Sequence, residues 1–191
     1  DMVSRGLGDV YKRQIQKFAD EATSGKTTWL QLRETVTASD SRYLPNEVYP
    51  DKDAVELLQK IADTCGETLP ELIERFGEFL APHLIKVASQ NIDPTWRTLD
   101  LIENTEDIIH AMVRSAKPGA EPPVLETVRH SPNELHLVYS SGRRLCMLAK
   151  GIIHGLACHY DETIMIEESS CMHKGDPFCC MVIQDLSLIH I

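Results

Sequence analysis

The amino-acid sequence predicts an α+β fold, in which an N-terminal helical subdomain precedes a C-terminal antiparallel sheet with one or two packed helices. Three observations predict it. Apolar residues recur at helical spacing as far as Arg114, and a segment rich in proline and glycine (117–123) then interrupts the chain. Beyond it, short runs alternate apolar and polar residues, as half-buried strands do.

Five helices are predicted in the first half. The clearest is the fourth, where Leu72, Phe76 and Leu80 belong to a continuous apolar face, although Pro82 should kink or divide it. Breaks at Ser24-Gly25, Pro45, Gly66 and Asp93-Pro94 separate the helices. The predicted helices are 15–21, 28–36, 54–64, 69–88 and 98–114.

The second half is predicted to form four strands and one helix. Strands 124–130 and 134–140 are joined by Ser131-Pro132-Asn133, which indicates a hairpin. A helix over 145–160 has Leu148, Ile152 and Leu156 along one face. The remaining predicted strands are 163–168 and 178–184.

Composition limits the function. The 191 residues suit one domain, and a formal net charge of -10 argues against nucleic acid or an anionic membrane as partner. No apolar run approaches the roughly 20 residues that span a bilayer, and no signal-peptide core is present, so a cytoplasmic setting is expected. Residues 1–14 and 185–191 resemble translated sequencing-adapter read-through, so a single domain over 15–184 is the predicted native segment.

His110, Pro123 and the run Tyr139-x-Ser141-x-Arg143 form the first candidate site. An imidazole is an iron ligand, while hydroxyls and a guanidinium bind carboxylates such as the propionates of haem. In an extended segment the period of two would put the last three side chains on one side. On periodicity alone His110 would lie on a polar helix face, with Glu106, Asp107 and Arg114 as neighbours, and the strand residues would be an ordinary half-buried face.

In this order and spacing, these residues resemble the H-NOX (haem nitric oxide/oxygen binding) family over most of 15–184. The resemblance implies haem b between the helical subdomain and the sheet, with His110 as the iron ligand and Pro123 against the porphyrin. It also implies that Tyr139 and Ser141 donate to the propionates and that Arg143 binds one of them bidentately.

The resemblance also implies a ligand and an output. Oxygen-binding members place a tyrosine where this chain has Leu148, and a polar supporting residue where it has Leu80. An apolar wall favours NO, with CO as a laboratory ligand. By the same resemblance, a weakened iron–His110 bond is the signal. The expected protein is a bacterial sensor without catalysis of its own, acting on a sensor histidine kinase or a cyclic-di-GMP enzyme.

Cys146, Cys171, His173 and Cys179 form the second candidate site, because three thiolates and an imidazole can close a tetrahedral zinc site. Cys171 and His173 would share a face of an extended segment. Some bacterial stand-alone H-NOX proteins carry such a cluster. This chain lacks their fourth cysteine, so His173 or Glu168 would replace it.

Three alternatives remain at this point. The cysteines are also compatible with buried structural residues. The Cys-x-x-x-Gly-Asp-Pro-x-Cys run resembles vinyl-reductase-like modules, which would bind a small molecule or zinc without haem. An enzyme would have to use Cys158 with His154 or His159, which share one predicted helix without an orienting third group.

Overall fold

The structure is a computed structural model that describes residues 7–24, 31–32, 51–116 and 121–187. Of the predicted helix 28–36, only 31–32 belong to the described residues. The chain divides after Phe76 into two compact units. No helix in the described ranges is both long and apolar enough to cross a membrane.

The first unit contains helices α1 (Leu7–Ala22) and α2 (Asp51–Cys65) and the beginning of α3 (Leu69–Ala88). Among its buried apolar residues, Phe18 and Phe76 have ring centroids 5.1 Å apart. Helix α3 begins with a capping box, in which the Thr68 amide donates to Glu71 Oε2 at 2.9 Å and the Glu71 amide donates to Thr68 Oγ1 at 3.4 Å. Of the two expected effects of Pro82, a kink or a division, the division is wrong, since α3 continues through that residue.

The second unit begins within α3 and contains a helical stretch that changes its winding. Helix α4 (Thr98–Asn104) passes into a π-helix (Thr105–His110) and then into α5 (Ala111–Ala116). Near the change, Thr105 Oγ1 donates to the Leu101 carbonyl at 2.6 Å. Side-chain bonds of this kind compete with the backbone ladder and loosen α-helical pairing. The sequence predicted the extent of this stretch, 98–114, but not its π-helical middle.

Four strands form one antiparallel sheet in the order β1-β2-β4-β3, which confirms the predicted α+β class. Leu135 and Leu137 of β2 and Met181 and Ile183 of β4 are buried on one face of this sheet, within the core of the second unit. The strands are β1 (Val124–Ser131), β2 (Glu134–Ser140), β3 (Ile164–Ser170) and β4 (Cys179–Asp185), and helix α6 is Cys146–His159.

Helices α3 and α6 touch through their backbones. A Cβ atom on Gly77 would lie 2.5 Å from the carbonyl oxygen of Leu148 and 2.9 Å from the Cα of Gly151. Nearby, a Cβ on Gly155 would lie 2.6 Å from the Cβ of Ala81. These separations are shorter than van der Waals contact, so the two glycines allow the helices to approach.

Candidate functional site

His110 is the last residue of the π-helix, and its side chain is 14 % exposed. Its Nδ1 lies 2.9 Å from Oε2 of Glu106, one turn earlier. A carboxylate accepts, so Nδ1 is the donor of this bond and Nε2 is the ring nitrogen that remains for a metal. The local fold therefore presents the imidazole as an oriented ligand.

Glu106 makes further hydrogen bonds besides that with His110. Its carboxylate also accepts from Arg114 at 2.6 Å and from the backbone amide of Leu125 at 3.2 Å. Burial acts to raise the pKa of Glu106, but the hydrogen bonds from His110, Arg114 and Leu125 together hold it below its usual value. The carboxylate therefore stays ionised and joins the π-helix to the start of β1, directly after Pro123. Pro123 itself is half-buried.

The sequence reasoning missed this role of Glu106, which it placed only on a polar helix face. The available signal was the separation of four residues between Glu106 and His110, which brings the two side chains together on a helix.

Tyr139 and Ser141 meet at the end of β2. Tyr139 is buried, and burial raises its pKa to about 12. Hydrogen bonds with the Ser141 side chain and the Leu145 backbone act in the opposite direction. Ser141 Oγ also accepts from the backbone amide of Arg143 at 3.2 Å. Two hydroxyls therefore converge at this end of the strand.

Arg143 is not on an extended segment, contrary to the expectation. Strand β2 ends at Ser140, and the Arg144 amide donates to the Ser141 carbonyl at 3.1 Å, which makes a tight turn. The turn is needed because helix α6 begins soon afterwards, at Cys146. Arg143 is exposed within it, and Arg144 has a φ of 52°.

Leu80 and Leu148 lie on α3 and α6, the two helices that meet at Gly77. Leu80 is fully buried and Leu148 is half-buried. Neither side chain can donate a hydrogen bond.

Three buried thiols form a separate cluster in the second unit. Sγ of Cys171 lies 3.8 Å from that of Cys146 and 3.9 Å from that of Cys179. Glu168 is part of the same group, in which one ligand atom of each residue lies within 4.8 Å of the others. Helix α6, strand β3 and strand β4 each supply part of the group.

His173 lies outside this group, contrary to the expectation that it shares a face with Cys171. Residues Met172–Lys174 form a 3-10 turn rather than an extended segment, so the period of two does not apply. The Nε2 of His173 lies 2.7 Å from the carbonyl oxygen of Arg144. Glu168 takes the fourth position instead.

The surroundings of the cluster raise the pKa of two of its thiols. Burial raises the pKa of Cys146 to about 12, and the neighbouring thiols Cys179 and Cys171 raise it further in the same direction. Burial also raises the pKa of Cys179. Glu168 Oε1 is buried and accepts no hydrogen bond among the described residues, although Lys150 Nζ lies 3.0 Å away.

The fold and the site agree with a family of known proteins. A family model described as "Haem-NO-binding" (HNOB) matches residues 10–168, and the chain therefore belongs to the haem-NO-binding family. This places it in a family of haem-binding gas sensors rather than among the vinyl-reductase-like modules.

Solved structures give the same result. An H-NOX protein from S. oneidensis in the Fe(II)NO state is 25% identical, with a TM-score of 0.81 over 93% of this chain and 98% of that one. The SO2144 H-NOX domain from Shewanella oneidensis, in the Fe(II)CO state, is 26% identical, with a TM-score of 0.79 over 90% and 97%. A point mutant of T. Tengcongensis H-NOX is 17% identical over 95% and 98%, with a TM-score of 0.80, and shows the fold alone. No curated protein sequence matches the chain.

The family implies a haem, and the described residues fit one. The donor set contains an imidazole that is anchored at one nitrogen by Glu106, and two hydroxyls, Tyr139 and Ser141, that meet at a strand end. Iron takes the first kind of donor, and propionates take the second.

Proposed function

We propose that this protein is a haem-based sensor of nitric oxide that acts on a separate effector protein. The hydrogen bond between His110 Nδ1 and Glu106 carries the proposal, because it fixes the tautomer that an iron ligand requires. Membership of the haem-NO-binding family supports it. A haem held by His110 would supply an iron atom for NO binding, and the His110–iron bond would be the bond whose weakening is the signal.

Haem retention is assigned to His110 together with the residues at the end of β2. Tyr139 and Ser141 donate to the propionates, and Arg143 supplies the positive charge from the turn that follows. The Tyr139 hydroxyl already makes hydrogen bonds with the Ser141 side chain and the Leu145 backbone at this end of the strand.

Selection for NO is assigned to Leu80 and Leu148. Bound O2 is stabilised by a hydrogen-bond donor beside it, and these side chains offer none. NO needs no such donor, and CO serves as a laboratory ligand.

The proposed signal passes from His110 to the rest of the protein through Glu106. A changed position of the His110 side chain alters its bond to Glu106, and Glu106 is also bonded to the Leu125 amide at 3.2 Å. A two-state displacement of the π-helix relative to β1 is the kind of change that a ligand can bias. The proposed effector is a sensor histidine kinase or a cyclic-di-GMP enzyme.

Absorption spectra of the reduced, haem-loaded protein test the sensor. The Soret band is expected to shift on NO and to stay unshifted under O2 before oxidation. His110→Ala is expected to lose haem, with rescue by added imidazole, whereas His159→Ala, an exposed histidine on α6, behaves as the parent protein. A folded parent protein that retains no haem contradicts the proposal, and so does a stable O2 complex.

We also propose that Cys146, Cys171, Cys179 and Glu168 bind a structural zinc ion. Sulfur atoms about 2.3 Å from a tetrahedral zinc ion lie roughly 3.8 Å from one another. The thiol separations of 3.8 Å and 3.9 Å match that spacing. Three thiolates and the Glu168 carboxylate, which belongs to the same group, complete four ligands.

A further inference from the structure

A second group of ligand-type side chains lies on the β1-β2 hairpin. His130 belongs to β1, and Glu134 and His136 belong to β2. One donor atom of each lies within 4.8 Å of the others. We propose that these three residues form a surface site for a divalent transition-metal ion, with Zn²⁺ as its representative.

The two imidazoles are close enough to share an ion. The ring centroids of His130 and His136 lie 3.9 Å apart, with an angle of 31° between the ring planes. The Nε2 of His136 lies 3.1 Å from Oε1 of Glu134. Imidazole nitrogens and a carboxylate oxygen are ligands that zinc takes at about 2.0–2.2 Å.

The alternation of side chains along the hairpin brings His130 into the group. Val128 pairs with His136, and His130 lies two residues after Val128 on the same, exposed face of β1. Glu134 lies two residues before His136 on the corresponding face of β2. The strand pairing therefore places His130 beside both ligand-type residues of β2.

Glu134 is oriented before any ion arrives. Gln184 of β4, its partner in the sheet, donates to Oε2 at 2.8 Å, while Oε1 faces His136. The contacts with Gln184 and His136 hold the Glu134 carboxylate in one position. A hydrogen-bonded carboxylate of this kind has its second oxygen directed at the ion.

The site would be open, unlike the cysteine cluster. His136 and Glu134 are 40% and 29% exposed at their side chains, so water can complete the coordination. Three protein ligands with an open position are typical of exchangeable or reactive zinc, whereas four buried ligands are typical of structural zinc. The ion here is therefore expected to be removed by a mild chelator that leaves the cysteine cluster loaded.

Calorimetric titration of Zn²⁺ into the full chain tests the proposal. The parent protein is expected to show a binding step that His130→Ala and Glu134→Gln weaken by roughly 10-fold to 100-fold or more, at least the loss that removal of a supporting residue causes. His159→Ala, an exposed histidine outside both groups, is the matched control and should retain the step. An unchanged step in both site variants would overturn the proposal.

A second readout identifies the ligands directly. In long-range ¹H–¹⁵N spectra, the imidazole signals of His130 and His136 are expected to shift with Zn²⁺, also in a Cys171→Ser variant with an altered cysteine cluster. If Zn²⁺ leaves these two signals in place, the proposal is wrong. Neither result depends on haem, so failure of this site and failure of the NO sensor are distinguishable.

Discussion

Glu106 and His110 are joined by a 2.9 Å hydrogen bond within one turn of π-helix, and Glu106 is joined in turn to the first residues of β1. A carboxylate that accepts from an imidazole increases the electron density on the other ring nitrogen. Glu106 is thus a positioning residue for the proposed iron ligand, with an electronic as well as a structural effect.

Glu106→Gln is expected to weaken the bond between His110 and iron, because a neutral amide polarises the imidazole less than a carboxylate does. The iron–histidine stretching frequency of the reduced protein, measured by resonance Raman spectroscopy, should decrease. Asp107→Asn removes an exposed charge from the next position and is the matched control. Equal frequencies in the parent and Glu106→Gln proteins would rule out the electronic effect.

Tyr139→Phe is expected to increase the rate of haem loss about 10-fold to 100-fold, since a hydrogen bond to a charged group contributes roughly 1.5–3 kcal/mol. Transfer of haem to an excess of a haem-scavenging protein measures the rate. Ser141→Ala should act in the same direction, while Ser140→Ala, at the exposed end of β2, should not. Parent-like haem loss in Tyr139→Phe would remove this residue from the propionate site.

Gly77→Ala is expected to lower the free energy of unfolding by about 1–3 kcal/mol, the usual cost of overpacking. The added Cβ would meet backbone atoms of α6, and backbone cannot move aside as a flexible side chain can. Urea unfolding measures the change. Gly142→Ala is the control, because a Cβ there meets nothing within 4 Å. Equal stability of the two variants would contradict the close helix contact.

Cys171→Ser is expected to remove zinc from the cysteine cluster, since this thiol is central to the group. Metal analysis after dialysis gives the stoichiometry. Cys180→Ser changes the next residue after Cys179 and should retain the zinc. If parent protein purified in the presence of zinc contains none that resists a mild chelator, the cysteines are buried structural residues.

The stability that the capping box contributes at the start of α3 should decrease at low pH. Hydrogen bonds from the Thr68 side chain and amide lower the pKa of Glu71 in the folded chain. A lowered folded-state pKa gives stability that is present above the unfolded-state pKa and is lost as the pH falls through the folded-state value. Thr68→Ala should therefore raise the Glu71 pKa in an NMR titration, whereas Thr64→Ala, at a half-buried threonine of α2 that bonds to the Lys60 carbonyl, should leave it unchanged.

Sequence periodicity predicted most of the described helices and strands because burial alternates with a period that differs between the two kinds of element. It could not predict the π-helix that ends at His110, since local side-chain bonds such as that of Thr105 decide the winding. The same limit applies to Arg143 and His173. Both were placed by a period of two, and both lie in turns whose backbone the next element determines.

The group His130, Glu134 and His136 was not predicted at all. Its members lie four and two residues apart, which matches no short metal motif, and the group depends on a pairing of β1 with β2 that becomes visible only in the strand register. Sequence patterns record which faces are buried, whereas the register decides which residues meet across two strands.

The contact between α3 and α6 fixes the spacing of these helices independently of the side chains that are proposed to select the gas. Because Gly77 and Gly155 set the distance between the helices through backbone atoms, the side chains of Leu80 and Leu148 do not determine that distance. The half-buried position 148 can therefore accept a hydroxyl-bearing residue while the two glycines keep the helices in place. Under the proposed function, the selectivity for one gas over another becomes an adjustable property of a fixed frame.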